Sequence, residues 1–137
     1  LLTLGNLDNA RDWGFAGDYV EAMWLMLQQE TADDYIVASG ETHSVREFVT
    51  LAAAAMGIQI EFEGEGLEAR GWDRKTGRQL VDVSADFHRP SEPDPLVGNA
   101  AKAHRKLNWH PKTDFEKLVT LMAESDLQRA RNGQVWY

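Results

Sequence analysis

The chain has 137 residues, 43% hydrophobic and 26% charged, with a formal net charge of −8. That is enough apolar chain for a folded domain with its own core, and too much for disorder. The acidic balance excludes a nucleic-acid surface, which needs a basic footprint, and the lack of cysteine excludes disulfides and thiolate chemistry and fits a reducing cytoplasm.

Leu1-Leu2-Thr3-Leu4 is an apolar, strand-like run with no polar lead-in and no initiating Met. It reads as the inside of a longer protein, and it lacks the basic start and long apolar stretch of a secretory signal. No apolar run approaches the roughly 20 residues of a membrane span. From Asp18 to Gln29, Val20, Met23, Trp24 and Leu27 recur at helical spacing, and Asp18 with Glu21 has the form of a capping box. Tyr35-Ile36-Val37-Ala38 predicts a short strand buried on both faces, as in a parallel sheet. Ser44 and Glu47 form a second capping box, opening a helix whose apolar stripe is Val45, Phe48, Val49, Ala52 and Met56, with Gly57 as its stop. Ile58, Ile60 and Phe62 then alternate with Gln59, Glu61 and Glu63, a half-exposed strand. Helix, strand, helix, strand is the rhythm of an α/β unit.

Residues 64–98 are rich in glycine and proline and predict a lid or binding-loop region. Within them Thr76-Gly77 reads as a hairpin tip feeding a strand over Gln79–Val83. A short helix from Ala100 to Leu107 follows an Asn99 cap. Thr113-Asp114-Phe115-Glu116 opens a last amphipathic helix through about Arg131, with Phe115, Leu118, Val119 and Met122 as its buried face.

Much common chemistry is missing. The four histidines never form HxxxH or HExxH, so no zinc pair is expected. No strand is followed by GxGxxG, and no tyrosine has a lysine four residues on, so no catalytic residue is assigned and no cofactor-binding one. Two arginines stand out. Arg11 lies in the glycine-bounded polar loop GNLDNARDWG, and Arg89 in HRPSE, where proline stiffens the chain. Guanidinium groups on stiff loops suit a pyrophosphate, and Glu92 could accept from ribose hydroxyls. The competing reading pairs Arg11 with Asp8 or Asp12, and Arg89 with Asp86 or Glu92; spacing alone leaves both open.

The blocks LGNLDNARDWGFAGDYVEAMWLMLQQ, ETHSVREFV and FHRPSEPDPLVGNAAKAHRKLNWHPKT, in this order and covering most of the chain, closely resemble the GDP-mannose 4,6-dehydratase family of extended short-chain dehydrogenase/reductases. The resemblance implies an α/β fold, with residues 1–137 forming the C-terminal, nucleotide-sugar-binding portion and the N-terminal NADP-binding Rossmann domain absent. The family reaction oxidises C4 of GDP-mannose by hydride transfer to NADP⁺, eliminates water across C5 and C6, and returns the hydride to C6. Oxidation at C4 acidifies the C5 proton, so a redox cofactor serves a reaction with no net redox change. Carried over by position, Arg11 and Arg89 become diphosphate ligands of GDP, Glu92 a ribose or nucleotide contact, and Asn6 a residue facing the nucleotide. Trp13 and Trp24 become packing residues and Asp18 a helix cap. Phe15, Asn99, Pro93 and Pro95 depart from the family pattern, which puts fine substrate discrimination in doubt. The expected partners are GDP-mannose and further copies of the full-length protein, as a dimer or tetramer, with no membrane and no nucleic acid. Two other readings stand beside this one: a different nucleotide-sugar epimerase or dehydratase, and a non-catalytic nucleotide-sugar-binding or assembly module.

Overall fold

The computed structural model describes residues 1–89 and 96–134. In chain order they form β1 (Leu2–Leu4), β2 (Ala10–Arg11), α1 (Ala16–Leu27), β3 (His43–Ser44), α2 (Val45–Ala55), β4 (Ile60–Glu63), a single 3₁₀ turn (Gly66–Glu68), β5 (Arg70–Asp73), β6 (Gln79–Val83), α3 (Ala101–Leu107) and α4 (Phe115–Arg131). They fall into two compact units, one within Leu1–Asn9, Ser44–Pro93 and Val119–Tyr137, the other within Ala10–His43 and Asp94–Leu118. None of the described helices is long and apolar enough to cross a membrane.

The first unit is built on a four-stranded sheet of order β1-β6-β5-β4. The opening run LTL finds its partner far along the chain, where β6 lies parallel to it with Leu2 opposite Val81 and Leu4 opposite Val83. β6, β5 and β4 are antiparallel neighbours. The alternation read over 58–63 holds, since Ile60 and Phe62 pack inward while Glu61 and Glu63 are exposed. The core gathers Leu7, Ala69, Val81 and Val83, with Val45 and Val49 of α2 against it. The Ser44–Glu47 capping box is complete: Glu47 N–H donates to Ser44 Oγ at 3.1 Å, and Ser44 N–H to Glu47 Oε2 at 2.6 Å. The glycine-rich stretch 64–98 is sheet in its first half. Its sequence RGWD gives no apolar alternation, so β5 is held by the ladder on both sides and by the turn that follows. In that turn the Asp73 carboxylate accepts from Lys75 N–H and the Thr76 hydroxyl, and Gly77 takes the left-handed φ of +66° the tip requires.

The second unit contains α1, α3 and the first turn of α4. Its core is Ala22, Ala100, Ala103, Leu107 and Trp109, with Tyr19, Leu25, Met26, Tyr35 and Val37 packed against it. Four expectations need correction. First, Trp24, expected as a packing residue, faces outward together with Val20, Met23 and Leu27, each residue 56% to 82% exposed. α1 is apolar on more than one side, so periodicity fixes the spacing but not which stripe is buried, and α3 packs on the side with the small Ala22. Trp24 is therefore not a core residue. Second, α1 starts at Ala16 behind Phe15, with no side-chain cap, and Asp18 is turned into the protein at 6% exposure. Its Oδ2 accepts the backbone N–H of Lys112 (3.0 Å) and Thr113 (2.9 Å), while its carbonyl accepts Trp109 Nε1–H at 2.9 Å. Third, Tyr35–Ala38 is extended chain without a ladder; Tyr35 and Val37 pack inward and Ile36 is 57% exposed. Fourth, α4 is capped by Asp114 and not by Thr113: Asp114 Oδ1 accepts Lys117 N–H at 2.8 Å. Phe115, Leu118 and Val119 are buried as expected, but Met122 is 46% exposed.

Candidate functional site

In the first unit, Asn6 and Arg89 leave the same edge of the sheet. β1 and β6 are parallel neighbours, so their carboxyl ends lie side by side, the position where open α/β sheets offer ligands a crevice. Ser84 N–H donates to Leu4 O at 2.9 Å, after which the chain turns through Phe87 toward Arg89. Gly5 makes this passage possible, since a Cβ there would sit 2.4 Å from the Phe87 carbonyl oxygen. Asn6 follows at once. Its Oδ1 accepts Asp8 N–H at 2.9 Å, which leaves the side-chain NH₂ as the end able to donate to a ligand. Arg89 is exposed, and no ion pair of Arg89 falls among the described residues. Asp86, one partner the competing reading offered it, gives its backbone N–H to Ser84 Oγ at 3.2 Å. Glu92 lies outside the described residues.

In the second unit, Arg11 stands at the end of β2 with its side chain exposed and its Nη1 donating to the Ala10 carbonyl at 2.8 Å. Its neighbours Asp8 and Asp12 have other work. Asp8 Oδ1 receives both Nε and Nη2 of Arg46, each at 2.9 Å. Asp12 ties together two remote stretches of backbone, 39–40 and 98. Its Oδ1 accepts Ser39 N–H (2.8 Å) and the Ser39 hydroxyl (2.6 Å), and its Oδ2 accepts Gly40 N–H (3.0 Å) and Gly98 N–H (3.2 Å). Burial pushes the Asp12 carboxyl up, but these donors more than reverse it and hold the group below its ordinary value. Gly98 packs so tightly that a Cβ there would lie 2.1 Å from Ala38 Cβ. Trp13, next in line, is a packing residue as expected: Nε1–H donates to His43 O at 2.9 Å and the ring tilts against Phe115.

A polar hollow of about 340 Å³ also lies in this unit, lined by Ser39, Glu41, His43, Lys112, Asp114 and Phe115 among others. His43 stacks on Phe115 with ring centroids 3.9 Å apart and planes 1° from parallel. The candidate ligands thus divide between the units, with Asn6 and Arg89 in the first and Arg11 in the second. Sequence reading missed Asp12, which it treated only as an ion-pair partner for Arg11. Its true partners are remote in sequence, and a lone Asp in a loop gives no sign of them. Among the described residues no cluster of His, Asp and Glu is placed to hold a metal. Nor does a dinucleotide diphosphate find a cradle: Gly14 and Gly17 bracket the start of α1, but the space beside them is filled by Tyr19 and Phe15.

A family model described as GDP-mannose 4,6 dehydratase matches residues 1–122. The chain is 48% identical over 132 residues to the GDP-mannose 4,6 dehydratase of Drosophila melanogaster, covering 96% of this chain and 33% of that protein. It is 47% identical over 133 residues to the one from Dictyostelium discoideum (97% and 37%), and 46% over 131 to the human one (96% and 35%). The chain therefore spans about a third of the length of these curated relatives. Among solved structures it is similar to RMD from Pseudomonas aeruginosa complexed with NADPH, at TM-score 0.69 and 20% identity over 93% of this chain and 36% of that one. UDP-glucose 4-epimerase from Thermotoga maritima gives TM-score 0.69 at 17% identity, over 94% and 35%. At such identities the likeness bears on fold, and it agrees with the α/β portion expected from the sequence.

Proposed function

This chain belongs to the GDP-mannose 4,6-dehydratase family, and on that footing we propose that it is the nucleotide-sugar-binding part of an enzyme converting GDP-mannose to GDP-4-keto-6-deoxymannose. Arg11 and Arg89 are the diphosphate ligands in this reading, with Asn6 and Glu92 toward the nucleoside. The observation that carries it is the exit of Asn6 and of an exposed Arg89 beside the carboxyl ends of the parallel strands β1 and β6. A chain of net charge −8 repels a nucleotide diphosphate at long range, so binding rests on such local guanidinium donors.

In this reading NADP and the catalytic groups belong to the remainder of the relatives' length, and the isolated chain is inactive. The chain's own part is to grip the diphosphate and orient the sugar. The reading also includes a cytoplasmic setting and assembly as a dimer or tetramer. Isothermal titration of the full-length polypeptide tests it directly. Arg89→Ala is expected to weaken GDP-mannose binding by about 1.5–3 kcal/mol, the usual range for a charge-assisted contact. Unchanged affinity would return Arg89 to the ordinary surface, and tighter binding of a UDP- or dTDP-sugar would replace the substrate assigned here.

A further inference from the structure

Arg11 closes β2, and Asp12 follows it directly in the chain, so where Asp12 is held sets where the backbone of Arg11 can lie. Asp12 is committed: four donors from two separate stretches of chain converge on its two oxygens. The side chain of Arg11, one residue before it, is exposed. We propose that Asp12 is the positioning residue for Arg11: by binding the Ser39, Gly40 and Gly98 amides it fixes the face and angle at which the guanidinium is presented to a nucleotide diphosphate. This rests on the ligand role given to Arg11 above.

The two carboxylate oxygens divide the work. Oδ1 serves Ser39 alone, while Oδ2 ties Gly40 to Gly98. Asp12→Asn keeps one acceptor and turns the other into an NH₂ donor. One pair of N–H groups then meets a donor in place of an acceptor, although size and shape hardly change. Arg11 itself is untouched.

The experiment measures GDP-mannose affinity of the full-length polypeptide for Arg11→Ala, Asp12→Asn and the double variant, at a temperature where circular dichroism reports each one folded. Asp33→Asn, which removes a surface carboxylate paired with Lys102 in the same unit, is the control. Asp12→Asn is expected to raise Kd about tenfold, the scale of a misplaced binding group, and the double variant to bind no worse than Arg11→Ala. Asp33→Asn is expected to bind as wild type. Normal binding by Asp12→Asn alongside weakened binding by Arg11→Ala overturns the proposal and spares the site. Additive losses also overturn it, because Asp12 would then act independently of Arg11. Normal binding by Arg11→Ala removes the site reading and this proposal together. Should Asp12→Asn not fold, amide exchange decides on wild type and Arg11→Ala. Saturating GDP-mannose is expected to slow exchange at Gly40 and Gly98 about tenfold in the former only, and equal exchange with and without ligand refutes the coupling.

Discussion

The two units satisfy their backbone in different ways. In the first, the ladder of β1, β6, β5 and β4 pairs the main chain beneath the core, and side chains are left to pack over Leu7, Ala69, Val81 and Val83. In the second, α1 and α3 cover a core made largely of alanines around Trp109, and residues 39, 40, 98, 112 and 113 belong to no strand. Their amides are taken up by two carboxylates instead: Asp12 holds Ser39, Gly40 and Gly98, and Asp18 holds Lys112 and Thr113. A ladder tolerates change because each bond has neighbours of the same kind. A carboxylate that collects several donors is a single point on which several segments depend, so the second unit concentrates its sensitivity in few residues.

The largest expected effect tests whether the second unit has a core of its own. Trp109 is 1% exposed and its indole N–H reaches the Asp18 carbonyl. Trp109→Ala removes the largest buried side chain in that cluster, and a loss of about 3–5 kcal/mol in urea unfolding is expected. A loss under about 1 kcal/mol would mean that α1 and α3 owe little to the residues between them.

Next is the carboxylate that replaces a ladder. Asp18→Ala leaves two amides without their acceptor, and the expected destabilisation is about 2–3 kcal/mol. Glu61→Ala, on the exposed face of β4, changes the first unit by less than about 0.5 kcal/mol. Similar costs for the two would erase the distinction between the units.

Acid sharpens the comparison further. The Asp12 carboxyl lies below its ordinary value of 3.8 in the folded chain, so the unfolded chain binds its proton first as pH falls. Its contribution is complete above about pH 4 and is lost on descending below 3.8 through the folded value. The amides of Gly40 and Gly98 are expected to lose exchange protection in that window, and Asp12→Asn to remove the dependence. Protection that survives titration of Asp12 would show those amides to be held by something else.

Legibility in the sequence follows the same division. Features set by near neighbours were readable: the Ser44–Glu47 box, the alternation over 58–63, and the turn at Thr76-Gly77. Features decided by remote partners were not. Asp18 has the spacing of a cap with Glu21, yet its acceptor oxygen is taken by residues 112 and 113. Tyr35–Ala38 has the composition of a buried strand but no neighbouring strand to complete it. On α1 the exposed stripe Val20, Met23, Trp24 and Leu27 is as periodic as a core face, and only the packing of α3 against Ala22 reveals the other side as buried. For the candidate ligands, loop chemistry singled out Arg11 and Arg89, while the Asp12 arrangement became visible only once Gly98 was seen against Ala38.

The smallest effect belongs to the first unit, where a single side-chain hydrogen bond is one support among many. Ser44→Ala removes the acceptor for Glu47 N–H and half of a reciprocal pair, since Glu47 Oε2 can still reach the Ser44 backbone N–H. The expected cost is about 1 kcal/mol, read as a shift in the urea midpoint with unchanged slope. That is a fraction of the cost at Asp18, although both carry two hydrogen bonds at a helix end, because Ser44 lies at an N-terminus where water can replace the lost acceptor whereas Asp18 is buried. A cost at Ser44 equal to that at Asp18 would mean that burial of the acceptor, and not merely its number of donors, has been given too much weight.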